Sequence, residues 1–207
     1  MSPNTPRTVG IFVFDDVEVL DCCGPFEVFS VARTPRNDDD LTEKLFIPLM
    51  IAERPEAVTC VGGLRIEPNA TFVNHPPLDI LIIPGGQGAR LTQLFNRTAL
   101  DWIASSAPTT TITASVCTGA FLLAENGLLD GKAATTHWAS VARLQARYQA
   151  ITVRDDARFV DEGHIVTAAG ISAGIDMSLH LVARLHGDDA ARWTARRMEY
   201  AWSPETT

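Results

Sequence analysis

The sequence predicts an α/β domain built on a doubly wound, mainly parallel sheet sandwiched by helices. Three observations predict it. Apolar runs at 8–14, 46–52 and 78–83 are short, continuous and rich in Val, Ile, Leu and Phe, as strands buried on both faces are. They alternate with segments whose apolar residues recur at helical spacing, the order that lays strands parallel. Finally, Ser115-Val116-Cys117-Thr118-Gly119 places small residues two before and two after a cysteine where a strand gives way to a helix, the pattern of a nucleophile elbow.

Each element follows in order. The strand at 8–14 leads through the loop DDVEVLDCCG to a helix with Pro25 in its first turn, where a missing N–H is harmless, followed by Phe26, Val28, Phe29 and Val31. The polar stretch 35–44, with Asp38, Asp39 and Asp40, is a loop before the strand at 46–52. Gly62 and Gly63 mark a turn, and 64–66 is a short extra strand. The strand at 78–83 stops at Pro84-Gly85-Gly86, where the backbone is free to turn closely. A helix over about 91–105 and a strand over 110–116 bring the chain to Cys117. Helices over 119–125, closed near Gly127, and 139–148 come next. A hairpin over 158–167 turns at Asp161, Glu162 and Gly163, and helices over 175–185 and 190–200 complete the chain. Neither a repeat nor a linker interrupts residues 8–200, which read as one domain with tails at 1–7 and 201–207.

Composition narrows the function. With 46% hydrophobic and 20% charged residues the chain has the balance of a self-folding domain. A formal charge of −8 repels phosphate backbones, so direct nucleic-acid binding is not expected. No apolar run suits a membrane span or a signal peptide. The four cysteines, Cys22, Cys23, Cys60 and Cys117, form no C-x-x-C pair, so free thiols in a reducing, cytoplasmic compartment are expected.

Cys117 would sit over a helix N-terminus, where unpaired N–H groups favour the thiolate and lower its pKa. The alternative is a buried, inert cysteine. The N–H groups of Gly85, Gly86 and Thr118 are candidates for an oxyanion site above it. Asp21 lies in the first βα loop at the carboxyl edge of the sheet, where open α/β folds place their sites, though Asp15, Asp16, Glu18 and Glu27 compete with it. His137, in Thr135-Thr136-His137-Trp138, could orient or deprotonate a nucleophile. His75, His164, His180 and His186 lack metal-ligand spacing, so no metal is expected.

Together these motifs resemble the ThiJ/PfpI superfamily, the cysteine relatives of class I glutamine amidotransferase domains, over Val9 to about Tyr200. The carriers are DCCGPFEV (21–28), IIPGG (82–86), SVCTGAFLLA (115–124), GLLDGKAATTHW (127–138) and GISAGID (170–176). The resemblance implies a flavodoxin-like sheet. It also implies that Asp21, four residues before Pro25, is the acid facing the cysteine, that Cys117 is the nucleophile, that Thr118 is the residue after it, and that His137 matches a histidine acting in glyoxalase-like relatives. Isonitrile hydratases and the amidase-like N-terminal domains of AraC-type (GlxA-like) regulators are the most similar branches, since both carry C-T-G elbows and TTHW. Thr118 replaces the histidine that follows the cysteine in the intracellular-protease branch, which disfavours a protease role. No basic helix-turn-helix follows before Thr207, which disfavours direct DNA binding.

Three functions follow. The leading expectation is hydration of an isonitrile to an N-formamide, with Cys117 as nucleophile and Asp21 as acid. The second is glyoxalase or deglycase chemistry dependent on His137. The third is a non-catalytic ligand-binding or redox-sensing module, in which Cys117 is modified without turnover. The partner expected is a small electrophilic substrate or metabolite, with no cofactor. By resemblance the chain forms a two-fold homodimer, and Cys22 points into the core or the dimer surface.

Overall fold

Strands form where apolar residues can be buried on both faces, and the computed structural model, which describes residues 5–34 and 43–202, shows seven of them in one sheet. They are β1 (Arg7–Phe12), β2 (Phe46–Ala52), β5 (Ala70–Thr71), β6 (Ile80–Ile83), β7 (Ile112–Val116), β10 (Phe159–Glu162) and β11 (Ile165–Ala168), in the order β10-β11-β7-β6-β1-β2-β5. Every pairing is parallel except β10 with β11, the expected hairpin. That hairpin turns at Gly163 (φ 82°), so Asp161 and Glu162 belong to its first strand rather than to the turn. Two small ribbons, β3 (Val58–Thr59) with β4 (Arg65–Ile66) and β8 (Ala133–Ala134) with β9 (Thr152–Val153), lie outside the main sheet. The central strands β6 and β7 are wholly buried, as a sheet covered on both sides requires.

Helices α1 (Val19–Val31), α2 (Gln87–Leu91), α3 (Arg97–Ser106), α4 (Ala120–Glu125), α5 (Val141–Arg147), α6 (Ala173–His186) and α7 (Asp188–Arg197) supply the outer layers. Two expectations need correction. Pro25 stands inside α1, not in its first turn, so the segment read as loop is already helical at Asp21 and Cys22. Proline there removes the intrahelical bond to the Asp21 carbonyl, and burial outweighs that loss: Asp21, Cys22, Gly24 and Pro25 are all buried, with Gly24 and Pro25 packed against Ile175 and Gly174 of α6. The helix expected over 91–105 is broken in two. Asn96 ends a short 3₁₀ turn and caps α3, its side chain accepting from Ala99 N–H at 3.3 Å. Most of the loop expected at 35–44 lies outside the described residues.

The elbow depends on one close approach. A Cβ at Gly119 would stand 2.0 Å from the Ile83 carbonyl oxygen, so strand β6 and the turn after β7 touch through bare backbone. Gly119→Ala is therefore expected to destabilise the fold by ~2–4 kcal/mol, read as a lower urea midpoint at constant slope.

Candidate active site

Three adjacent strands, β7, β6 and β1, end at one edge of the sheet, and the residues that follow them converge there. Cys117 comes directly after β7, Gly85 two residues after β6, and Asp21 from the first turn of α1.

Cys117 adopts φ 57°, a left-handed conformation that strains a non-glycine residue. Two backbone bonds hold it there: its N–H donates to the Ala169 carbonyl at 2.9 Å, and its carbonyl accepts from the Thr136 hydroxyl at 2.7 Å. The turn aims the thiol into a cavity of about 440 Å³ lined by Glu18, Gln87, Arg90, Thr118, His137 and Ile171 among others. Ile171 is strained in the same sense (φ 49°), and its backbone N–H, with that of Thr118, favours negative charge on the sulfur. No sequence signal singled out Ile171 or Thr136, although both sit inside motifs that drew attention for other residues.

Asp21 is fully buried. Its Oδ2 accepts from Gly85 N–H at 3.0 Å, while Oδ1 has no hydrogen-bond partner and the carboxyl acts on the Cys117 thiol. Burial above all, with help from the Glu18 carboxylate, pushes its pKa up to about 7 against the opposing pull of Gly85 N–H. Cys117, only 6% exposed, departs from expectation: burial and then the Asp21 carboxylate push its thiol up to about 12, outweighing the Thr118 and Ile171 N–H groups. The two groups titrate as a pair. It gives up one proton near neutrality and keeps the second far into the alkaline range, so a thiolate forms here when Asp21 holds the remaining proton.

The expected oxyanion donors are committed elsewhere. Gly85 N–H goes to Asp21, and Gly86 N–H goes to the Thr118 hydroxyl at 3.0 Å, because the Pro84-Gly85-Gly86 turn folds inward over the acid. A Cβ at Gly85 would meet Thr118 N at 2.5 Å and Asp21 Oδ2 at 2.9 Å, so only glycine fits between acid and elbow. Thr118 Oγ1 also donates to the Gly86 carbonyl at 3.2 Å. What remains facing the sulfur from the predicted set is the Thr118 N–H. His137 lines the cavity, its Nδ1 accepting from Ala139 N–H at 3.2 Å and its ring lying against Gly170. Among the described residues no hydrogen bond joins it to Cys117. Cys22 is buried in the core, its Sγ 3.9 Å from that of Cys23. All four cysteines are free thiols.

Residues 7–184 match the model of the DJ-1/PfpI family. The chain belongs to this family. A relative named isonitrile hydratase, from Pseudomonas putida, is 38% identical over 196 residues, 95% of this chain and 79% of that protein. The crystal structure of a ThiJ/PfpI family protein from Pseudomonas syringae superposes with a TM-score of 0.83 at 30% identity, covering 97% of this chain and 77% of that one. The transcriptional regulator GbdR of Pseudomonas aeruginosa is 26% identical over 88% of this chain, which spans 47% of that regulator's length. The flavodoxin-like sheet expected from the resemblance is thus the fold of the family. Among the described residues no helix is long and apolar enough to cross a membrane, and no group of three or more His, Cys, Asp or Glu is placed to hold a metal ion.

Proposed function

We propose that this DJ-1/PfpI chain is a cysteine-dependent hydratase that converts a small isonitrile to its N-formamide. The observation that carries the reading is the buried Asp21 carboxyl, poised at a pKa near 7 against the Cys117 thiol; the 38% identical relative named isonitrile hydratase supports it. The Cys117 thiolate bonds to the terminal isonitrile carbon, and Asp21 gives that carbon its proton, leaving a thioimidate. Water adds to the thioimidate carbon while the Asp21 carboxylate relays one of its protons to nitrogen. Collapse breaks the C–S bond, frees the formamide, restores the thiolate and returns a proton to Asp21. One water is consumed overall. Thr118 and Ile171 N–H stabilise the sulfur anion at the start and end of the cycle. We place the protein in the cytoplasm as a two-fold homodimer.

Burial of Cys117 argues against a redox sensor, since oxidation follows thiolate character and exposure. One panel tests the reading. Purified protein and Cys117→Ala are each incubated with an alkyl isonitrile, methylglyoxal and peroxide. Formamide from the parent protein alone is expected. Lactate in place of formamide, or thiol oxidation with no product, would overturn it.

A further inference from the structure

Arg90 stands in the last turn of α2 and lines the Cys117 cavity beside Gln87. It is half-buried, yet among the described residues neither a hydrogen bond nor an ion pair engages its guanidinium. Arg97, Arg147, Arg154, Arg158 and Arg184 each meet a carboxylate. Glu18, the acid on the same cavity wall, does not pair with Arg90. A guanidinium drawn partly out of water presents a planar fork of donors matched to a carboxylate, and here Arg90 lines the same cavity as the thiol. Its platform is rigid. Gly88 N–H donates to the Asp16 carbonyl at 3.0 Å, Thr92 N–H closes the turn on the Gly88 carbonyl at 2.9 Å, and a Cβ at Gly88 would collide with the Asp15 carbonyl at 2.0 Å. The backbone that carries Arg90 is therefore fixed before any ligand arrives.

We propose that Arg90 is a specificity-determining residue that binds the carboxylate of an anionic substrate, so that the isonitrile this site prefers is one carrying a carboxylate group. The isonitrile part rests on the hydratase reading; the anion preference does not. A cavity of about 440 Å³ accommodates a small acid of this kind while leaving its other end over Cys117.

Two arms separate the claims. In the first, iodoacetate and iodoacetamide, near-isosteres differing by one negative charge, alkylate Cys117 in the parent, Arg90→Gln and Arg90→Lys proteins. The thiolate displaces iodide with formation of a C–S bond, and the Cys117 peptide is followed by mass spectrometry. The iodoacetate to iodoacetamide rate ratio is expected to fall about tenfold in Arg90→Gln, as loss of a charge-assisted contact implies, and to fall less in Arg90→Lys, which keeps the charge but not the fork. In the second arm, the ratio of kcat/KM for isocyanoacetate over its ethyl ester is expected to fall by a similar factor in Arg90→Gln. An alkylation ratio that does not change with Arg90→Gln overturns the anion site whatever the enzyme does. A changed alkylation ratio without turnover of either isonitrile overturns the hydratase reading and leaves the anion site standing.

Discussion

Cys117→Ala is expected to reduce formamide production to the uncatalysed background, a loss of roughly 10⁴-fold or more, because the proposed thioimidate needs a sulfur and Cys117 is the one thiol among the described residues lining the cavity. Removal of the sulfur is expected to leave the fold intact. The strain at φ 57° belongs to the backbone and to any Cβ, so alanine inherits it unchanged. The bonds that hold the turn, to the Ala169 carbonyl and from the Thr136 hydroxyl, involve main-chain atoms of residue 117 that the substitution keeps. A product assay paired with a thermal melt checks both halves: residual turnover above about one part in a hundred with an unchanged melting temperature would show that the sulfur is not the nucleophile.

The sheet was legible wherever strands are buried on both faces, since runs such as 78–83 leave no other economical structure for so many branched apolar residues. Pieces held by tertiary packing were not. Pro25 argues locally for a helix start, and only the contact of Gly24 and Pro25 with α6, remote in sequence, shows why a helix carries proline seven residues in. Asn96 is a cap whose signal was readable, yet the apolar spacing across 91–105 masked it. At the site, Cys117 and Asp21 come to one edge because the strands that precede them, β7 and β1, flank β6 in the parallel part of the sheet. The elbow motif could not reveal where amides point. Gly85 and Gly86 look like free donors in a glycine-rich turn, and their N–H groups instead pin the acid and the elbow threonine. Ile171 was invisible for a different reason: a β-branched residue at φ 49° violates local preference, and the Cys117 cavity that it lines is formed by chain segments far apart in sequence.

Asp21→Asn is expected to move activity and stability in opposite directions. Turnover should fall about 10²- to 10⁴-fold, because an amide can still face the sulfur but has no acid proton to give. The linkage to pH has a definite sign. Unfolded Asp21 releases its proton near 3.8, whereas in the folded protein burial holds it to about 7. Across that interval the native state binds a proton the unfolded chain has lost, so this carboxyl makes the protein less stable as pH rises from about 4 to about 7, and contributes no further slope above that. At 1.36 kcal/mol per pH unit the loss reaches ~4 kcal/mol at most. The asparagine variant lacks a titrating group here, so the stabilities of parent and variant should separate progressively through the same interval, the variant gaining on the parent. The raised Cys117 thiol acts only above its ordinary value of 9.0 and does not disturb that window. Urea unfolding at several pH values between 4 and 8 measures the divergence. A constant gap across the range would mean that Asp21 is ionised in the folded protein well below neutrality, and a carboxylate already stripped of its proton could not protonate the substrate carbon. The expected instability at neutral pH and the proposed acid catalysis thus share one cause, a carboxyl kept dry beside a sulfur.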